Sequence, residues 1–212
     1  MLLSQLETVQ LPLRTVLFDA HVQPRHVHFL LSGIASILTS MANSEAVEIC
    51  IVGHEGFPEK IHLLGPQLGE TRCFMQLVGS ALRMDLRRFK TLFLESPELQ
   101  DAVHRYIQHD SLVLAQIGAC NRLHAVEARL ARWLLMVQDR TQTPELKLTQ
   151  EFLGEMLGAR RSSVNLAASA LQRAGLISYS RGRIRIEDRD GLQKASCECY
   201  AIIHKLFQQL YA

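Results

Sequence analysis

The spacing of apolar residues changes twice along this chain, and the changes divide it into three stretches. From Val9 to about Leu94 the apolar runs are short: VQLPLRTVLF, VHFLLSGIASILT, AVEICIVG and CFMQLVGSALRMDL. Turn-forming residues separate them, at Pro12, Pro24, Gly33, Gly53, Gly56, Pro58, Gly65, Pro66, Gly69 and Gly79. Apolar residues at positions 27, 29 and 31, and again at 47, 49 and 51, alternate as half-buried strands do. This pattern predicts an antiparallel β-sandwich or roll over residues 1–95.

From Pro97 the period lengthens to that of a helix. Pro97 suits a first helical position, with Ser96 as the cap and Glu98 near the positive end of the dipole. Leu99, Val103, Tyr106, Asp110, Val113 and Ile117 recur at spacings of 4, 3, 4, 3 and 4, a heptad seam with one polar member. Such a seam pairs with another helical or apolar surface. Its spacing alone leaves open whether that is a second copy of the helix or the chain's own β-domain. A dimerisation helix over 96–120 is favoured, because a two-fold protein suits two DNA half-sites one turn apart. A further helix is expected from about Leu123 to Gln138, with Val126, Leu130, Trp133, Leu134 and Val137 on one face. Arg129 and Arg132 flank that face as candidate phosphate contacts, and DRTQTPE at 139–145 is a polar link.

The third stretch, Leu148 to Ile186, reads as two short helices, a tight turn between them, and a hairpin. Thr149 can cap the first helix, Glu151 lies in its first turn where the dipole favours an acid, and Gly158 ends it. Val164, Ala167, Ala168, Leu171 and Ala174 form the small apolar face of the second helix, and Gly175 is a natural stop. Opposite lie Ser162, Asn165, Ser169 and Arg173, flanked by Arg161 and Leu166. Ile177 and Tyr179, then Ile184 and Ile186, alternate with polar residues around Ser180-Arg181-Gly182-Arg183, which predicts a wing. Asp188 to Ala212 reads as one closing helix packed through Leu192, Ala195, Cys199, Ile202, Ile203 and Leu206.

Charge sharpens this picture. Arg160, Arg161, Arg173, Arg181, Arg183 and Arg185 put six positive charges and no acid between positions 160 and 186, in a chain whose net charge is only +2. A basic second helix with a basic hairpin fits double-stranded DNA: the helix enters the major groove, its polar residues meet base edges, and arginines hold phosphates. The predicted DNA-binding set is therefore Arg160, Arg161, Ser162, Asn165, Ser169, Arg173, Arg181, Arg183 and Arg185, within a winged helix-turn-helix domain at 121–212. No apolar run approaches the length of a membrane helix, and MLLSQLETVQ lacks a secretion signal, so no membrane partner and a cytoplasmic location are expected. Five cysteines are an odd count for a disulfide framework. Cys197 and Cys199 are the one close pair; a metal there would need further ligands, of which His204 is the nearby candidate, and no metal site is assigned.

The order roll, long helix, second helix and winged helix-turn-helix resembles the Crp/Fnr family of bacterial transcription regulators. LTQEFLGEMLGARRSSVNLAASALQRAGLI carries the likeness in the C-terminal half, VGHEGF and VGSALRM in the N-terminal half, and RLARWLLM between them. The C-terminal CECY marks a subgroup without an assigned ligand. The resemblance implies an α+β chain: an antiparallel cyclic-nucleotide-binding-like roll, a dimerisation helix and a winged helix-turn-helix. It further implies a homodimeric, non-enzymatic regulator, with RNA polymerase as a further candidate partner, and it places Arg161, Ser162 and Asn165 where the family meets base edges. Relatives that take cyclic AMP carry Gly-Glu and Arg-Ser or Arg-Thr; here Pro58-Glu59 and Arg72-Cys73 stand instead. Proline lacks both the glycine's freedom and an N–H, and a thiol is the weaker donor, so Glu59, Arg72 and Cys73 are only a degenerate effector set. Any effector or cofactor is unknown. The first cysteine is Cys50, so the N-terminal cysteine group that holds an iron–sulfur cluster in some relatives is missing, and the roll's N-terminal lid is expected to be short or absent.

Two other classes compete. His26-Val27-His28 with Glu48 or Glu55 and His54 or His62 could form a metal site of a cupin-like enzyme. Alternatively, the chain is a protein-interaction module whose helix-turn-helix no longer binds DNA, against which its basic charge argues.

Overall fold

The computed structural model describes residues 5–41, 46–65, 69–141, 143 and 145–211. The stretches 1–4, 42–45 and 66–68, the last including Pro66, lie outside the described part, as do Gln142, Pro144, Ala212 and the side chain of Glu151. Two compact units account for the chain, one formed by the described residues of 1–44 and 50–112, the other by those of 45–49 and 113–212. The boundary thus falls inside the long helix rather than at its ends.

The antiparallel sheet holds β1 (Glu7–Leu11), β2 (Val16–Phe18), β3 (His26–Ser40), β4 (Ala46–Val52) and β5 (Thr71–Asp85), in the order β1-β5-β3-β4, with β2 also on β5; all of it belongs to the first unit except Ala46–Ile49 of β4, which falls in the second. β3 pairs with β5 from His26↔Asp85 to Thr39↔Thr71, but the register shifts between Leu30 and Ala35. At that bend Gly33 has φ +79°, and a side chain on Gly79 would strike the Ser32 carbonyl, so two facing glycines let the backbones approach. The shift also overturns the simple alternation at 27, 29 and 31: Val27 and Leu30 are buried, whereas Leu31 is half exposed. Nor do 47, 49 and 51 form the inner face of β4. Glu48, Cys50, Ile51 and Val52 are buried there, and Glu48 tolerates burial because the Trp133 indole donates to its carboxylate at 2.7 Å.

A 3₁₀ turn follows at Pro58–Leu63, and α1 (Leu86–Glu95) stands where the apolar pattern read as strand. Asp85 starts α1 by accepting the Arg88 N–H at 3.1 Å, and Leu86, Phe89 and Phe93 form its buried face. Phe29, Phe57 and Phe89 meet with ring centroids 5.2 to 5.6 Å apart, and Tyr106 of α2 (Pro97–Leu123) lies 5.7 Å from Phe57.

This packing corrects the heptad seam. Val103, Tyr106, Asp110, Val113 and Ile117 are buried and Leu99 is partly covered by the chain's own residues. Asp110, the polar member, forms an ion pair with the fully buried Lys60 ammonium at 3.2 Å and accepts from the Cys50 thiol at 3.1 Å. Burial alone would lower Lys60, but Cys50 and Asp110 hold it above its ordinary value. The side of α2 left to solvent carries Asp101, Arg105, Gln108, Leu112, Ala115, Ala119 and Arg122, which also recur every three or four residues.

The second unit contains α3 (Val126–Thr141), β6 (Glu145–Lys147), α4 (Gln150–Leu157), α5 (Arg161–Arg173), β7 (Ile177–Ser180), β8 (Arg183–Ile186), α6 (Arg189–Ala195) and α7 (Cys199–Gln209). α3 is the hub, touching α4, α5, α6 and α7. Leu130, Trp133, Leu134 and Val137 are buried, each contributing on the order of 1.5–3 kcal/mol of transfer energy. Arg129 and Arg132 are buried too, with Arg129 donating to the Leu157 carbonyl and to Asn121, so neither is a phosphate contact. The closing helix is two helices, α6 and α7, broken at Ser196-Cys197-Glu198. Asp139 ties them to α3, accepting from Arg189 at 2.6 Å and from the Tyr200 hydroxyl at 3.0 Å. Burial and that carboxylate push the Tyr200 phenol up to about 12.

Candidate nucleic-acid interface

Local chemistry sets the helix pair. The Thr149 hydroxyl accepts the Phe152 N–H at 3.2 Å and caps α4. Leu153, Met156 and Leu157 face inward, and Gly158 closes the helix at φ +54°, a left-handed conformation that suits glycine. A side chain at Gly158 would also lie 2.7 Å from a Val47 methyl. Arg160 then opens α5 without a side-chain cap; its carbonyl instead accepts the N–H groups of Ser163 and Val164.

α5 buries Val164, Ala167, Ala168 and Leu171. Ser162, Asn165 and Arg173 are exposed on its other side, with Ser169 partly covered. Leu166 is 73% exposed beside them, an apolar contact surface in a polar row. The Gln150 amide donates to Asn165 Oδ1 at 3.0 Å and holds that side chain in one orientation. Gln150 was not recognisable from periodicity, since it lies on the first helix of the pair.

The wing has three strands rather than two. β6 adds to the hairpin, pairing Glu145↔Arg185 and Lys147↔Arg183, in the order β6-β8-β7. Arg181 and Gly182 both take positive φ, +49° and +73°, the conformation of a two-residue I′ turn that matches strand twist. The Leu148 N–H donates to the Gly182 carbonyl at 2.7 Å and the Tyr179 hydroxyl to the Leu148 carbonyl at 3.1 Å, fixing the wing tip beside α4.

Between the wing tip and the start of α5 lies a cleft of about 390 Å³ lined by Thr149, Gln150, Arg161, Tyr179, Ser180, Arg181 and Gly182. Arg161 and Arg181 therefore come together, although 20 residues separate them in sequence. Burial raises the Tyr179 phenol against the pull of the Arg161 charge. The other arginines are placed differently. Arg183 meets Glu145 of β6 at 3.3 Å and Arg185 meets Glu187, the first acid after the tract, at 3.7 Å. Arg160 and Arg173 are exposed at opposite ends of α5, about 20 Å apart along its axis. No acid stands in the first turn of α5, so its positive dipole end adds to the cationic cleft.

The degenerate effector set is not assembled. Glu59 is fully buried and accepts from the His28 backbone at 3.1 Å and from His28 Nδ1 at 2.8 Å; Arg72 is half exposed and pairs with Asp19 at 3.4 Å; Cys73 is buried. The same His28–Glu59 contact removes His28 from the cupin-like ligand set. Glu48 belongs to Trp133, and Glu55 accepts the Gly53 N–H. Nor does His204 serve the Cys197/Cys199 pair, since it meets Asp139 at 3.3 Å. The pair instead faces Cys120 of α2 and His124 just past the helix's end, where the His124 N–H still donates to the Cys120 carbonyl at 3.0 Å. Burial pushes the Cys120 thiol up to about 12, and that of Cys197 upward as well.

Residues 128–195 match the Crp-like helix-turn-helix domain. Solved structures share the whole architecture at low identity. FixK2 from Bradyrhizobium japonicum is 11% identical, with TM-score 0.75 over 91% of this chain and 98% of its own. The c-di-GMP-responsive global regulator CLP of Xanthomonas campestris is 16% identical, with TM-score 0.71 over 87% and 95%. A CRP-family transcriptional regulator from Thermus thermophilus is 17% identical, with TM-score 0.72 over 89% and 96%. No relative among curated proteins matches the chain. Among the described residues no helix is long and apolar enough to cross a membrane.

Proposed function

We propose, from the premise that this chain belongs to the Crp/Fnr family of DNA-binding transcription regulators by its fold and its Crp-like helix-turn-helix domain, that it acts as a sequence-specific homodimer in the cytoplasm. The observation that carries the reading is the exposed row Ser162, Asn165 and Leu166 on α5, flanked by the Arg161/Arg181 cleft. α5 enters the major groove with Arg161 on a guanine, Asn165 on an adenine and Leu166 against a thymine methyl. Arg181 at the wing tip, with Arg160 and Arg173, takes phosphates and sets register.

The dimer forms along the solvent side of α2, through Leu112, Ala115 and Ala119, because the opposite side already covers the chain's own core. RNA polymerase is the downstream partner, and the chain is not an enzyme. The roll does not capture cyclic AMP: the Glu59 carboxylate that would take a ribose hydroxyl is committed to His28, and Arg72 lies on the surface with Asp19. Selection of bound duplexes from a random pool, with and without cell extract, tests this reading. A two-fold symmetric consensus is expected; recovery of unrelated sequences at stated salt would overturn sequence-specific binding.

A further inference from the structure

We propose that Cys120, His124, Cys197 and Cys199 form a metal site for a tetrahedral, thiolate-preferring divalent cation, zinc foremost. Their four ligand atoms lie within 4.8 Å of one another, the one such group of His, Cys, Asp and Glu among the described residues. Cys120 lies in the last turn of α2 and His124 directly follows the helix, four positions on, its N–H still donating to the Cys120 carbonyl at 3.0 Å, so both project to the same side. Cys197 and Cys199 come from the break between α6 and α7, where no proline or glycine explains the interruption and two thiols turn inward.

The distances suit a metal. The sulfurs of Cys120 and Cys197 are 3.4 Å apart, and Cys199 Sγ lies 3.6 Å from His124 Nδ1. A tetrahedral zinc held at about 2.3 Å from sulfur and about 2.0 Å from nitrogen separates two sulfurs by about 3.8 Å and sulfur from nitrogen by about 3.5 Å. A disulfide needs about 2.05 Å. The surrounding contacts are those of ligands already oriented. His124 Nε2 meets the Glu198 carboxylate at 3.2 Å, which places the ring proton there and leaves the Nδ1 lone pair facing the sulfurs. The Gln116 amide donates to Cys199 Sγ at 3.0 Å.

Binding releases three thiol protons to solvent and leaves the site at net −1 (+2 from the cation, −3 from the thiolates). That charge sits within electrostatic reach of the buried Arg129 and Arg132 guanidinium groups. Three soft sulfurs and one imidazole discriminate against magnesium and calcium, and four protein ligands leave no open position, so the ion's role is structural. It staples the end of α2 to the α6–α7 junction within the unit that carries the helix-turn-helix. The inference stands apart from the DNA-binding reading.

The full chain, purified under reducing conditions from zinc-supplemented cells, is expected to hold one zinc per chain by elemental mass spectrometry. Cys120→Ser with Cys199→Ser should abolish it, whereas Cys50→Ser with Cys73→Ser should retain it. Should the first variant fail to fold, the native chain decides. Stripped of metal and titrated with cobalt(II), it should develop the intense visible bands of tetrahedral cobalt with thiolate charge transfer, and zinc should bleach them. A chain purified without metal that gives only the pale spectrum of octahedral cobalt overturns the site, as does a Cys120–Cys197 disulfide persisting in reductant.

Discussion

Arg161 and Arg181 share one cleft but should behave differently when removed. Arg161→Ala should cost about 1–3 kcal/mol on the selected site and relax preference at one base pair, read by competition binding against single-base variants. Arg181→Ala should weaken all duplexes alike and reduce the salt slope by about 1. Equal and sequence-blind losses from both would remove the base contact assigned to Arg161. In the roll, His62 is buried, neither ring nitrogen has a hydrogen-bond partner among the described residues, and burial lowers its pKa from 6.5. The unfolded chain protonates this group first, so its contribution to stability is full above 6.5 and lost as pH falls through the lower folded value. Urea midpoints measured at about pH 7 and about pH 5 should fall with acid, and His62→Phe, placed edge-on to Phe18 as the imidazole is, should flatten that fall.

At the scale of elements, the helix pair was legible because its signals are local: the Thr149 cap, the Gly158 stop and the recurrence of Val164, Ala168 and Leu171 at four and three residues. Thr149→Ala should lower stability by about 1 kcal/mol. Gly158→Ala should lower it by at least about 1–2 kcal/mol, because it adds left-handed strain to a clash with Val47; calorimetry of the two variants checks both. Other elements depended on partners distant in sequence. α1 was hidden because Leu82, Met84 and Leu86 continue the strand alternation, and only the Asp85 cap betrays the switch. The α2 seam was correctly located as a packed face but assigned the wrong neighbour, since spacing carries no information on Lys60 reaching Asp110 from 50 residues away. Of the sulfur and imidazole cluster only the Cys197/Cys199 pair was legible, since Cys120 precedes Cys197 by 77 positions.

At the scale of the whole molecule, the two faces of α2 should separate assembly from folding. Ala119→Glu, on the solvent side, should convert a dimer to a folded monomer by light scattering and reduce affinity for a two-half-site duplex far more than for one half-site. Val103→Ala, on the buried side, should lower melting temperature by removing core packing while leaving the dimer intact. If Ala119→Glu leaves the assembly unchanged, the solvent side of α2 is not the contact. The wing adds a consequence of its own. By setting Glu145 against Arg183 and Glu187 against Arg185, the protein would, on the DNA-binding reading proposed above, fit a brake to its own adhesion, since a phosphate reaching either arginine would have to displace a carboxylate that is already there. Lifting the brake with Glu145→Gln and Glu187→Gln should make the protein stickier everywhere and slower to leave wrong sequences. In a chromosome crowded with decoys, restraint of this kind serves target search better than raw grip.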